Sequence, residues 1–251
     1  MLEKSKMFEN DSNKGWSGWG TVINDCGKFL VGRLNLTGFK NKDEVKYMIL
    51  PIAKSNVTVV TMGIGHDTEA EEKIRDAVGS SNSDFYGADP MIDGNEMLYN
   101  QIGKFFPFAV SGKAGYQNAS VTKGGGTPYF NKVVVTVDLL YFLKDLIAKN
   151  FYDMILMDAE YAEYFLYPFI VKGGALDQNG IAVCQWNMEI HLPTESQKKL
   201  THDFFLKLIE EERYGFFNAY MAAGHLRLYF LNFEDEECRK RYIGTKLAQG
   251  L

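Results

Sequence analysis

With 46% apolar and 14% aromatic residues among 251, the chain can bury a full-sized core, which excludes a disordered or fibrous protein and fits one globular domain. The formal charge of -5 comes from acids spread along the chain, with no basic block to neutralise phosphates, so no nucleic-acid partner is expected. Three cysteines, Cys26, Cys184 and Cys238, stand without CxxC spacing; this argues against a zinc cluster or a dense disulfide framework and predicts buried or idle thiols in a reducing compartment.

The N-terminal stretch "MLEKSKMFENDSNKGW" is polar and lacks the apolar core of a signal peptide, and no run of about 20 apolar residues occurs. A soluble, cytoplasmic chain without a membrane partner is expected, with an N-terminal anchor in a longer parent left open. Residues 1–50 set Trp16 and Trp19 among glycines in "GWSGWG" and then offer "KDEVKYMILPIA", which reads as a short amphipathic helix. They predict an N-terminal cap packed on a main domain at 51–251.

From residue 57 onward, short β-branched or aromatic runs alternate with segments of helical periodicity, the mark of βα units on a parallel sheet. The first strand, Val57–Thr61, leads to a helix from near Thr68, where Asp67 or Thr68 can cap free amides and Glu69, Glu71 and Glu72 suit the positive helix end. A second strand, Asp84–Ala88, ends in "ADP" before a helix around Glu96–Ile102. "FFPFAV" is a third strand at 105–110, and the Gly-rich "SGKAGYQNASVTKGGGTPYF" reads as a mobile surface loop.

"KVVVTVDLLYFLKDLI" predicts a brief strand and a helix. A buried fourth strand, Met154–Met157, enters a polar turn and a helix towards Val171. "GIAVCQWN" is a fifth strand leading into "MEIHLP", the helix Glu195–Glu212 follows, and "GFFNAY" with "LRLYFLN" predicts an antiparallel hairpin at the sheet edge.

In open α/β sheets the ligand binds outside the carboxyl ends of the strands, and the first βα turn is the usual place. Gly63 and Gly65 would let a ligand approach the backbone there, although a third glycine at Asp67 or Thr68 is missing and a plain tight turn stays an alternative. Asp89, 24 residues beyond Gly65 and followed by Pro90, would face the same crevice and could accept both hydroxyls of an unphosphorylated ribose.

The ordered blocks "VVTMGIG", "YGADP", "FPFAVSGKAG", "VTVDLL", "ILMDAEYAE" and "CQWNMEIH" resemble the FkbM-type family of S-adenosylmethionine-dependent methyltransferases, in its divergent nematode-like branch, over about residues 57–192. The resemblance implies a Rossmann-like class I α/β fold, a seven-stranded mostly parallel sheet with helices on both faces, and S-adenosyl-L-methionine as cofactor. Gly63 and Gly65 would then approach its methionine part, Asp89 its ribose, and Ala109, Val110 and Ser111 its adenine. Asp158 stands at the central acid of the family motif K-I-D-V-E-G-A-E, beside the transferable methyl. Three positions depart from the pattern. Thr61 replaces the acid that usually ends strand 1, a contact that Asp67 or Asp158 could supply, and Leu156 and Tyr161 replace the motif lysine and glycine.

Methyl transfer is an in-line displacement that needs a nucleophile held about 3 to 3.5 Å from the methyl carbon and, for a hydroxyl, a base within reach. Asp158, Glu160 and His191 are the catalytic candidates. Glu160 and Glu163 equally fit carboxylates favoured at a helix start, while Glu189 and His191 would share one side of the strand 5 extension, where His191 is either a base or a structural histidine. His66 could line the pocket, and Tyr161, Tyr164 and Phe165 are core residues or an acceptor wall. No HExxH, CxxC or G-x-S-x-G pattern occurs, so no metal, redox or hydrolase centre is expected. The expected activity is O-methylation of a small-molecule or sugar-like acceptor. A non-catalytic cofactor-binding scaffold and a nicotinamide-dependent oxidoreductase are the alternatives, and the oligomeric state stays open.

Overall fold

The Asp11 carboxylate accepts the backbone amides of Asn13 and Lys14 and so starts a long helix that the sequence left unassigned. In the computed structural model, which describes residues 1–5, 8, 11–79, 81, 83–122 and 128–245, this helix is α2 (Ser12–Leu34), preceded by the short α1 (Leu2–Ser5). Glycines lower its propensity, which is why the pattern hid it. One of them serves packing: a Cβ on Gly27 would stand 2.5 Å from the Phe217 carbonyl oxygen, so only glycine lets the helix lie this close to its neighbouring strand. Trp19 is buried edge-on against Phe205.

The expected amphipathic helix in "KDEVKYMILPIA" is instead a strand. β1 (Leu36–Lys40) and β2 (Val45–Ile49) pair antiparallel as a hairpin. Alternation of Val45, Tyr47 and Ile49 with Lys46 and Met48 suits a strand as well as a helix, and tertiary hydrogen bonds decide it: Asn187 and Gln185 accept the backbone amides of Tyr47 and Ile49 at 2.7 and 2.8 Å.

Every residue of β3 (Val57–Met62) is buried, as a strand covered on both faces requires. With β4 (Ser83–Ala88), β5 (Lys104–Phe106), β9 (Phe151–Met157), β10 (Ala182–Ile190), β11 (Tyr214–Ala222) and β12 (His225–Asn232) it makes a seven-stranded sheet in the order β11-β12-β10-β9-β3-β4-β5. Strands β10, β9, β3, β4 and β5 run parallel, and the β11–β12 hairpin closes one edge antiparallel. The parallel sheet expected from the alternation, and the Rossmann-like α/β architecture implied by the resemblance, are therefore the fold. Winding reverses beside β3, whose neighbours are β4 and β9, so the carboxyl ends of these three strands form the switch point. The helices α3 (Glu69–Val78) and α4 (Asn95–Tyr99) follow β3 and β4.

"FFPFAV" does not form one strand. It splits around Pro107, which has no amide to donate: β5 joins the main sheet, whereas β6 (Ala109–Ser111) pairs with β8 (Phe130–Asp138) in a second, three-stranded sheet completed by β7 (Gly115–Val121). The glycine-rich segment expected as a mobile loop thus contains a seven-residue strand, and the brief strand after it is nine residues long. Gly124, Gly125 and Gly126 lie outside the described residues.

Leu139–Tyr141 forms α5, which continues as a π-helical turn through Ile147. Then come α6 (Glu163–Ile170), α7 (Ala175–Gln178), α8 (Glu195–Glu210) and α9 (Glu236–Cys238). The expectation of idle thiols is overturned for two cysteines. Cys184 of β10 and Cys238 of α9 form a disulfide, a bond characteristic of oxidising compartments, and only Cys26 is free. No helix among the described residues is long and apolar enough to cross a membrane.

Candidate functional site

Gly63 could not be another residue. Its φ is 85°, and a Cβ there would stand 1.8 Å from the Asp158 carbonyl oxygen, so the turn after β3 lies directly on the end of β9. Backbone bonds from Gly63 to Ala88 and from Asp158 to Met62, each 2.9 Å, join the ends of β3, β4 and β9. Gly65, at φ 62°, has open space where a side chain would project.

Above these strand ends lies a narrow cleft of about 80 Å³. Gly63, Gly65, Asp89, Pro90, Ala109, Val110, Asp158 and Glu160 all line it, so most of the residues proposed from sequence converge there. Three do not. Thr61 is fully buried beneath the turn, Ser111 is buried and bonds Gln117, and Asp67 turns outward to accept the amides of Lys42 and Glu69.

Asp89 has a task besides any ligand. One oxygen accepts the amides of Ile64 and Gly65 at 2.8 and 3.2 Å and the other that of Met91 at 2.7 Å, so the carboxylate shapes the glycine turn. Burial lifts its carboxyl above the ordinary range although these amides favour the charged form. Beneath the turn, Thr61 meets a buried acid from the next helix that does not reach the cleft. Glu71, fully buried in α3, accepts the Thr61 hydroxyl at 3.1 Å and the Lys46 ammonium at 3.3 Å. Burial disfavours a charged Lys46, but Glu71 and Glu44 overcome it and keep the ammonium protonated.

Beyond β9 the backbone is held in the left-handed region at Glu160 (φ 45°) and Tyr161 (φ 74°), conformations that non-glycine residues keep only where their surroundings enforce them. His191 lies behind them, its side chain 4% exposed. Its Nε2 faces Asp158 at 3.3 Å and Glu160 at 3.5 Å, while Nδ1 faces Glu163 at 3.2 Å. The Tyr161 ring packs on the imidazole, with centroids 5.2 Å apart. Burial works against charge on His191, but hydrogen bonds to Asp158 and Glu163 prevail and raise its pKa to about 11. The imidazolium form of His191 is therefore favoured at neutral pH, with both ring nitrogens turned to carboxylates.

His191 pulls both facing carboxyls down, but the net outcome differs between them. Against burial, His191 pulls Asp158 below its ordinary value. Glu160 is lifted by burial and by Asp158, against the pull of His191, to about 7. The Glu160 carboxylate also hydrogen-bonds to Tyr129, which reaches the cleft wall from the segment before β8. Sequence alone gave no sign of Tyr129, because 31 residues separate it from Glu160 and only the three-stranded sheet brings them together.

On the other side of Asp158 a second, polar hollow is lined by Glu44, Lys46, Asn187, Glu189, Tyr220 and Arg227. Arg227 donates to Glu189 at 2.9 Å, and burial raises Glu189 to about 7. His66 lies off the first cleft's wall, with its ring 3.3 Å from the Thr122 carbonyl oxygen. Tyr164 is core, its hydroxyl donating to the His191 carbonyl, whereas Phe165 is exposed.

A parallel sheet with a glycine turn at its switch point, an apolar-walled cleft above that turn and carboxylates at the next strand end has the design of α/β enzymes that bind a nucleotide-like cofactor. The Methyltransferase FkbM domain matches residues 37–217, and the chain belongs to the FkbM methyltransferase family. An uncharacterized protein of Caenorhabditis elegans is 28% identical over 102 residues, which are 41% of this chain and 35% of that protein; the match thus spans about a third of the relative's length. A Clostridium thermocellum structure provisionally described as an rRNA-methylase superposes with a TM-score of 0.39 at 10% identity, covering 72% of this chain and 88% of that one, a likeness too weak to inform function.

Proposed function

We propose that this chain binds S-adenosyl-L-methionine in the cleft above Gly63 and Gly65 and transfers its methyl group to an oxygen of a small-molecule acceptor. The observation that carries this reading is the clamp of the glycine turn on Asp158, which puts a close-approach backbone, an apolar wall and two carboxylates around one cleft in a chain of a methyltransferase family. Ala109 and Val110 provide an apolar wall for a base, and the Asp89 region faces the ribose. The acceptor enters from the polar hollow, which shares Asp158 with the cofactor cleft; its mixed carboxylates, amides and cations suit a hydroxyl-rich molecule.

In the reaction the acceptor oxygen attacks the sulfonium methyl in line, the C–S bond breaks, and the hydroxyl proton passes to a carboxylate. Both Asp158 and Glu160 line the cleft, and Glu160 fits that role better because its carboxyl is lifted to about 7, whereas that of Asp158 is lowered. The test is release of S-adenosylhomocysteine from the labelled cofactor during a screen of metabolite fractions. Glu160→Gln should lower turnover about 10²-fold or more with cofactor affinity kept. Undiminished turnover in Glu160→Gln would remove Glu160 from the chemistry, and absence of turnover with every fraction would favour a cofactor-binding scaffold.

A further inference from the structure

The side chains on the β10–β12 side of Asp158 are of the types that ligate metals and lie close together. Glu189, His191 and His225 present ligand atoms within 4.8 Å of one another, and Asp158 is equally close to His191 in one such group and to Glu189 in another. We infer that Asp158, Glu189, His191 and His225 bind a divalent transition-metal cation next to the acceptor hollow. That it lies against the acceptor rests on the methyltransferase reading; the binding itself does not.

The orientation of each ligand supports this. Metal-bound histidines almost always give their second ring nitrogen to a carboxylate or carbonyl, which fixes the ring. Here fully buried Glu163 takes Nδ1 of His191 and also its backbone amide, at 3.2 and 2.8 Å, and leaves Nε2 facing Asp158. Glu189 uses one oxygen for Arg227; the other faces Nδ1 of His225 at 4.0 Å, too far for a hydrogen bond. Nδ1 of His225 is enclosed and has no hydrogen-bond partner among the described residues, so it lacks what a cation would provide. The two imidazole rings stand 4.8 Å apart and near-perpendicular.

Charge points the same way. Around this centre Glu44, Glu71, Asp158, Glu160, Glu163 and Glu189 face only Lys46, His191 and Arg227, an excess of carboxylates that a divalent ion would offset in place of the His191 Nε2 proton. Ligands about 2.1 Å from a metal stand roughly 3.4 Å apart, so atoms up to 4.8 Å apart need to close by at most about 1.4 Å. Two imidazoles with two carboxylates favour zinc, cobalt or iron over magnesium and calcium, which prefer all-oxygen sets. Such an ion would meet an acceptor through its oxygens, and an acceptor with two adjacent oxygens would hold it best.

The test is calorimetric titration of the chelator-stripped full chain with Zn²⁺ alone and with Mg²⁺ alone, with S-adenosylhomocysteine binding followed in parallel. One equivalent of Zn²⁺ should bind and Mg²⁺ should not compete. His225→Ala should weaken Zn²⁺ about 10- to 100-fold at unchanged far-ultraviolet spectrum and unchanged cofactor affinity. Glu189→Gln should do the same, and should that variant fold poorly, His225→Ala decides alone. No stoichiometric Zn²⁺ in a chain that binds S-adenosylhomocysteine, or equal Zn²⁺ affinity in His225→Ala and the parent, would overturn the metal site while leaving the methyltransferase reading intact.

Discussion

Gly63 and Gly65 have the same glycine torsion and opposite surroundings, which separates their roles. At Gly63 a Cβ would collide with the Asp158 carbonyl, whereas at Gly65 it would enter open space. Gly63→Ala should therefore cost about 3 kcal/mol or more of stability, since neither the φ of 85° nor the backbone behind it can give way. Gly65→Ala should cost about 1 to 2 kcal/mol and fold, but fill space meant for the ligand. Urea denaturation of both variants checks the order, and equal costs would show that the turn is not clamped. These two glycines were legible in the sequence because strand, glycines and acidic helix start follow one another directly. The roles of Asp89 and His191 were not legible. Asp89 spends its oxygens on backbone amides of the glycine turn, and His191 is charged because Asp158 and Glu163 meet it from other elements.

At the scale of elements, the parallel strands of the main sheet were read from their β-branched runs because burial on both faces leaves so plain a pattern. Helix α2 and strand β2 escaped, the first because glycines needed for close packing depress its signal, the second because its partners Gln185 and Asn187 lie well over 100 residues away. The β7–β8 ribbon was hidden by its glycines and polar residues. Its register, from Gly115 opposite Thr136 to Val121 opposite Phe130, predicts that the cross-strand-bonded amides of 116–121 exchange hydrogen slowly in the free protein. Exchange there as fast as in an unstructured peptide would restore the mobile-loop reading and remove Tyr129 from the cleft wall.

Across the whole molecule, the Cys184–Cys238 bond ties the fifth parallel strand to the last helix across 54 residues, and both sulfurs are buried. Closing a loop of that length removes unfolded-state entropy equivalent to about 4 kcal/mol in the chain-entropy model. Replacing both cysteines by alanine should lower stability by about 2 to 5 kcal/mol, and peptide mapping without reductant should recover the linked pair. Two free thiols in protein prepared under oxidising conditions would contradict the pairing. No spacing rule could have found this bond, since it depends on how α9 folds back on β10.

The central claim is that the cleft above the glycine turn is a sulfonium-cofactor site. Calorimetric titration with S-adenosylhomocysteine tests it most directly, run beside an identical titration with NAD. One equivalent should bind at about micromolar affinity, near -8 kcal/mol, with no heat from NAD. Tight NAD binding with none of S-adenosylhomocysteine would contradict it.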